Sequence, residues 1–201
     1  MLPSLLVCVS VLVALLSSSP VVAELHEFKT GFLGRTTVVN VHVLTQWHPQ
    51  EDPHYTSTGG LTFSCEEGSG HVEMSLAMLS YRLKTTDDGP CRSSGVELQF
   101  DQDEPYLPQM WLRPDSALSA FGTYVTTEPP KGSRCQTILL RSPAQVLYHA
   151  TAATYLRTTI SEADYSNWGP VQIIEAPTMH FNLEAVRAEL IELHNRCRKK
   201  R

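Results

Sequence analysis

Four short runs of this chain alternate strictly between apolar and polar side chains. That period of two limits the possible folds more than any other feature. Within the β-branched stretch Thr36 to Leu44, Val39, Val41 and Val43 share one face. Leu61, Phe63 and Cys65 share a face in the next run, and Val72 to Leu76 and Val96 to Phe100 repeat the pattern. A strand whose apolar residues all lie on one face must lay that face against another layer. Glu66 to Gly70 is a turn by composition, so the second and third runs predict a hairpin. Trp47 to Gly60, with Pro49, Pro53 and Gly59-Gly60, reads as a loop, as do Asp87 to Pro90 and Glu128 to Gly132. Further strands are predicted at Trp111-Leu112, at Thr137 to Leu140 as an edge, and at Tyr155 to Ile160, with a turn at Asn167 to Pro170.

The helical signals are fewer and lie in the second half. Ser142-Pro143 has N-cap and first-turn chemistry, which predicts a short helix over Ala144 to Ala150. Near the end, Asn182 can cap a helix whose apolar positions are Leu183, Val186, Leu190, Leu193 and Cys197. Glu184 in its first turn and Arg196 in its last both suit the helix dipole. The expected fold is mainly β: an antiparallel, β-sandwich-like α+β domain with a short helix and a C-terminal amphipathic helix packed on the sheet.

The N-terminus bears on compartment. Leu5 to Leu16 is an uncharged run of 12 residues, apolar but for Ser10, followed by Ser17-Ser18-Ser19-Pro20 and by Val21-Val22-Ala23. A membrane-spanning helix takes about 20 residues. The run and its small-residue flank instead predict a secretory signal over residues 1–23, and one disulfide-bonded domain over residues 24–201. The expected location is periplasmic or secreted, with no stable membrane anchor. Cys65, Cys91, Cys135 and Cys197 then remain, an even number that points to two disulfides. A zinc site is the competing use, but its cysteines come in C-x₂₋₄-C pairs, and here the nearest two are 26 residues apart. Spacing leaves all three connectivities open.

Charge removes one class of partner. Of 16 basic residues, five lie in the last six positions, leaving 11 against 21 acidic residues in the rest of the chain. An acidic body lacks the broad basic footprint that nucleic acid requires, and a basic terminus of this kind is read as a solubilising end.

A search for chemistry returns no catalytic set. His48, Glu51, Asp52 and His54 cluster in one stretch but read as a solvated loop rather than a metal patch. His42 alternates with Val41 and Val43 and is placed on the polar face of its strand, and His194 on the solvent side of the last helix. Asp101, Asp103 and Glu104 beside Pro105 read as an acidic turn, in preference to an acid/base pair or a calcium patch. There is no H-E-x-x-H, nucleophile elbow, phosphate loop or dinucleotide fingerprint. A cysteine nucleophile would need a free thiol, against the even count. Trp47, Tyr55, Tyr106, Trp111 and Trp168 sit in or beside predicted loops, where they serve either as partner anchors or as plugs closing a β-sandwich end; the plug is the preferred reading. No metal, cofactor or enzymatic activity is expected.

Gly60 to Gly68 (GLTFSCEEG), Val72 to Leu76, Val96 to Asp101 and Trp111 form one ordered set, followed by Val146-Leu147, Ala152 to Ile160, and His180-Phe181-Asn182-Leu183 with the helix to Cys197. This order of elements resembles the TagO/VasI family, exported accessory proteins of type VI secretion systems. The likeness covers roughly Gly60 to Cys197. Leu79 to Gly95 and Thr123 to Arg141 stand as insertions, each with one further cysteine. The resemblance implies a Cys65–Cys197 disulfide, which would leave Cys91 with Cys135. It also implies a non-catalytic binding or accessory protein with a protein partner of unknown identity. The alternatives are an enzyme inhibitor or small-ligand-binding β domain, whose acidic body would suit a basic enzyme, and a hydrolase with widely scattered residues.

Overall fold

A single antiparallel sheet gathers every alternating run. The computed structural model describes residues 25–30, 36–47, 57–79, 81–84, 93–105, 108–112, 122–129, 142–161, 164–167 and 178–198. Its strands are β1 (Leu25–Thr30), β2 (Thr36–Trp47), β3 (Ser57–Glu66), β4 (Glu73–Leu79), β5 (Tyr81–Lys84), β6 (Ser93–Phe100), β7 (Gln109–Leu112), β8 (Gly122–Thr126), β9 (Tyr155–Ser161), β10 (Asp164–Asn167) and β11 (Thr178–Asn182). Nine of them pair in the order β1-β2-β3-β4-β8-β7-β6-β9-β11, while β5 and β10 pair separately. Helix α1 (Pro143–Ala152) precedes β9, and a 3₁₀ turn (Glu184–Val186) leads into helix α2 (Arg187–Cys197). The mainly antiparallel β architecture with a short and a C-terminal helix is the one the pattern called for.

Register turns the alternation into a core. Val39, Val41 and Val43 lie opposite Cys65, Phe63 and Leu61, and Phe63 and Leu61 in turn lie opposite Met74 and Leu76 of β4. All eight are buried, and they join Val96, Leu98, Phe100, Leu156, Met179 and Phe181 in one cluster. Over this face lie Val146, Leu147 and Ala150 of α1 and Leu190, Leu193 and Cys197 of α2. The sheet curls until β11 meets β2, where the Thr45 hydroxyl donates to the His180 carbonyl at 2.6 Å. Gly59 permits that approach, because a Cβ there would run into Met179 Sδ and Thr45 Cγ2.

Several expectations shift. β2 extends through Trp47, and β3 already begins at Ser57, so Gly59-Gly60 is strand rather than loop. β8 falls within a stretch read as an insertion, yet it bridges β4 and β7 inside the sheet; β5 lies in the other. Trp111 is buried on β7 at 2% exposure, so it fills the fold and does not anchor a partner. Asn182 is not the N-cap: that position falls on Leu183 for the 3₁₀ turn and on Val186 for α2, while the Asn182 side-chain oxygen, one residue earlier, accepts from Ala185 N–H at 3.2 Å. Ser142 heads α1 with a full capping box, paired reciprocally with Gln145. The edge strand expected at Thr137 to Leu140 lies outside the described residues.

Leu190 is fully buried at the centre of the α2 stripe. Leu190→Ala should therefore lower unfolding free energy by about 2–5 kcal/mol in urea titration. A loss below about 1 kcal/mol would mean that α2 contributes little to the core.

Candidate functional site: the outward face of the terminal helix

Three tethers converge on the last turn of α2. Cys197 is bonded to Cys65 at the end of β3, with the two Cα atoms 5.7 Å apart. The turn between β3 and β4 donates Gly68 N–H to the Arg196 carbonyl at 2.8 Å and Gly70 N–H to the Cys197 carbonyl at 2.9 Å. Carbonyls at a helix C-terminus have no partner within the helix, so these amides satisfy them. Reaching them takes a left-handed backbone at Gly68 (φ 73°) and Gly70 (φ 76°), which glycine adopts without strain. The Arg196 guanidinium then pairs with Glu27 at 3.0 Å and Glu67 at 3.3 Å. Both carboxylates raise the affinity of Arg196 for its proton, the Glu27 hydrogen bond most strongly.

The helix so fixed exposes one large apolar side chain among charged ones on its outward face. Ile191 is 44% exposed. With Glu67, Ala188, Glu192, Asn195, Arg196 and Arg198 it lines a shallow groove of about 430 Å³. On the flank towards α1, Tyr148 is 62% exposed and its ring lies 5.7 Å from His194. Tyr148 also meets His149 edge-on, and His149 in turn stacks on Phe100. His194 holds its proton less readily than an ordinary histidine, first through burial and then through the charge of Arg198. Its ring is thus biased to the neutral form, which suits contact with an apolar partner.

The other singled-out residues divide as follows. His42 lies on the outer face of β2, half-buried, with Nδ1 2.8 Å from the Thr62 hydroxyl and its ring 5.5 Å from that of His26. Burial, and then His26, lower its proton affinity. Asp101 takes φ 43°, and its carboxylate accepts from Thr154 N–H and Tyr155 N–H at 2.8–3.1 Å, so it ties the β6 turn to the start of β9. The acidic turn is thereby structural. Among the described residues no group of three or more His, Cys, Asp or Glu is arranged to hold a metal. Cys91, Cys135, His48, Glu51, Asp52, His54, Tyr55, Tyr106 and Trp168 lie outside the described residues, and Trp47 is described by its backbone alone.

One arrangement has no signal in the sequence. His71 Nε2 and Glu128 Oε1 meet at 2.9 Å, from positions 57 residues apart, at the mouth of a cleft of about 450 Å³ beside the start of α1. Both side chains are substantially exposed, so the pair is worth little. The two hydroxyls lining that cleft are engaged, Thr127 with the Met74 carbonyl and Ser142 with Gln145. No family model, curated protein or solved structure matches the chain.

Two outcomes follow. The Cys65–Cys197 bond closes a loop of 132 residues, so Cys65→Ala with Cys197→Ala should cost about 2–5 kcal/mol. Thermal unfolding with and without the bond measures this, and unchanged melting would show that the other tethers suffice. His42 and His194 both have folded pKa values below the ordinary 6.5. Below that pH the unfolded chain binds more protons than the folded one, so stability falls as pH drops from 7 towards 5. Urea midpoints across this range should decline, and His42→Gln should flatten the decline; a slope identical to wild type would refute the His42 contribution.

Proposed function

We propose that this is an exported, non-catalytic accessory protein that binds a protein partner through the outward face of α2. The observation that carries the reading is the exposure of Ile191 on α2, a helix whose other face is buried and bonded to the sheet, with the exposed Tyr148 of α1 against His194 on its flank. A large apolar side chain exposed on a rigid helix among charged groups favours a partner over open solvent. The groove offers hydrophobic contact and ion pairing but no reacting group. The signal-like N-terminus and the disulfide together favour an oxidising compartment, periplasmic or extracellular. The resemblance to the TagO/VasI family favours a role beside a secretion system.

The test compares pull-downs of the exported chain and of Ile191→Glu from extracts of its own host, read by quantitative mass spectrometry. A partner should be enriched by the native chain and lost by at least tenfold with Ile191→Glu, while the variant keeps its melting temperature. Equal enrichment by both chains would move the binding site elsewhere. Turnover of a substrate that vanished with any single substitution would replace the accessory role with an enzymatic one.

A further inference from the structure

We propose that the chain pairs with a second copy of itself through β1, edge to edge and antiparallel, with Phe28 opposite Phe28. β1 is one end of the nine-strand order, and among the described residues no strand pairs its outer edge. His26 to Lys29 are all exposed, as expected of a strand with a layer on neither side. An unpaired edge is a template for another strand, and proteins limit such pairing with charge. Here the charges do more than limit it: they leave one favourable alignment.

The face of each residue follows from its partner on β2. Glu27 lies opposite the buried Val39, on the side of the sheet where α2 packs over β2 and β3, and reaches Arg196 at the end of that helix. Lys29, two residues on, shares that face. Phe28 lies opposite Val38 on the other face and is 45% exposed. Joining two copies with their helical layers on the same side matches residues of like face. With Phe28 opposite Phe28, Glu27 of each copy faces Lys29 of the other, His26 faces Thr30, and the two rings stack across the seam. Sliding by one pair in either direction sets Glu27 against Glu27 or Lys29 against Lys29. Opposite charges and aromatic pairs directly across strands stabilise, whereas like charges there destabilise. The composition of β1 is therefore self-complementary in this register alone.

The rest of the fold accommodates the arrangement. α2 packs over β2 and β3 rather than over β1. With strands about 4.8 Å apart, the two α2 helices would lie about 19 Å from one another across the seam, beyond the 8–10 Å of packed helices. Glu27 keeps Arg196 as a partner on its own chain while its remaining exposure, 47%, faces the seam. The exposed Phe28 ring becomes the centre of the contact. This pairing does not rest on the proposed partner surface of α2.

Sedimentation velocity on the exported chain tests it. The native chain should show a concentration-dependent monomer–dimer equilibrium. Lys29→Glu sets Glu27 against a glutamate, and Glu27→Lys sets Lys29 against a lysine, so each variant alone should dimerise at least tenfold more weakly. Mixed in equal amounts, the two chains restore opposite charges at both positions and should form a heterodimer of near-native affinity. Lys29→Glu alters an exposed side chain, so its circular dichroism and melting should match the native chain. Three results would overturn the proposal: a native chain monomeric at its highest soluble concentration, a dimer indifferent to both reversals, or a mixture that stays monomeric. A β1 edge taken up only by an unrelated protein would appear as the first of these.

Discussion

The end of α2 is the joint on which the architecture depends. Two turn amides, one disulfide and one guanidinium bind its last residues to β3, to the turn after it and to β1. Without these contacts the helix would be held by its apolar stripe alone, and an 11-residue helix is marginal by itself. The stripe and the joint need one another. Leu190 and Leu193 seat the helix on the core, and the contacts at Arg196 and Cys197 stop it sliding or lifting there. The hairpin turn gains as well, since Gly68 and Gly70 have their amides satisfied by the helix rather than by water.

Curling the sheet imposes its own demands. β11 approaches β2 closely enough that Gly59 must lack a side chain, and β9 carries Thr158 into the core between Leu98 and Met179. The Thr158 hydroxyl has no hydrogen-bond partner there. A buried orphan of that kind costs about 1–3 kcal/mol. Its β-branched shape still fits a strand interior, and close packing on both sides offsets part of the cost. Asp101 shows the opposite solution: a strained backbone is offset by a carboxylate that collects backbone donors at the next element.

What the sequence disclosed follows which residues have one buried face. β2, β3, β4 and β6 lay one row against the core, so alternation marks them directly. β1 is exposed on both faces and has no pattern of burial to leave in its sequence. β8 contributes Val125 to the core, and five residues with one such position show no period. β5 and β10 are four residues each and pair outside the main sheet. Met179 and Phe181 do alternate in β11, but their short run merges with the stripe of the following helix. The outward face of α2 was legible as helix geometry, yet the meeting of Tyr148 with His194 depends on how two helices cross, which spacing within either one cannot encode. For the same reason the His71–Glu128 contact joins distant positions that carry no mark of each other.

Arg196 belongs to both of the surfaces argued above. It lines the groove beside Ile191, and its guanidinium also grips Glu27 on the free edge of the sheet. A carboxylate accepts more than one donor, so Glu27 can face a lysine across a seam without releasing Arg196. The arginine in turn is held on its other side by Glu67. The charge of the edge strand is thus fixed in place before any second copy arrives, which reduces the ordering cost of pairing. The same fixed chain, Glu27 to Arg196 to Glu67, sets the charges that a partner of α2 would meet. Edge and groove are therefore two faces of one ion-paired network, anchored where the disulfide joins helix to sheet.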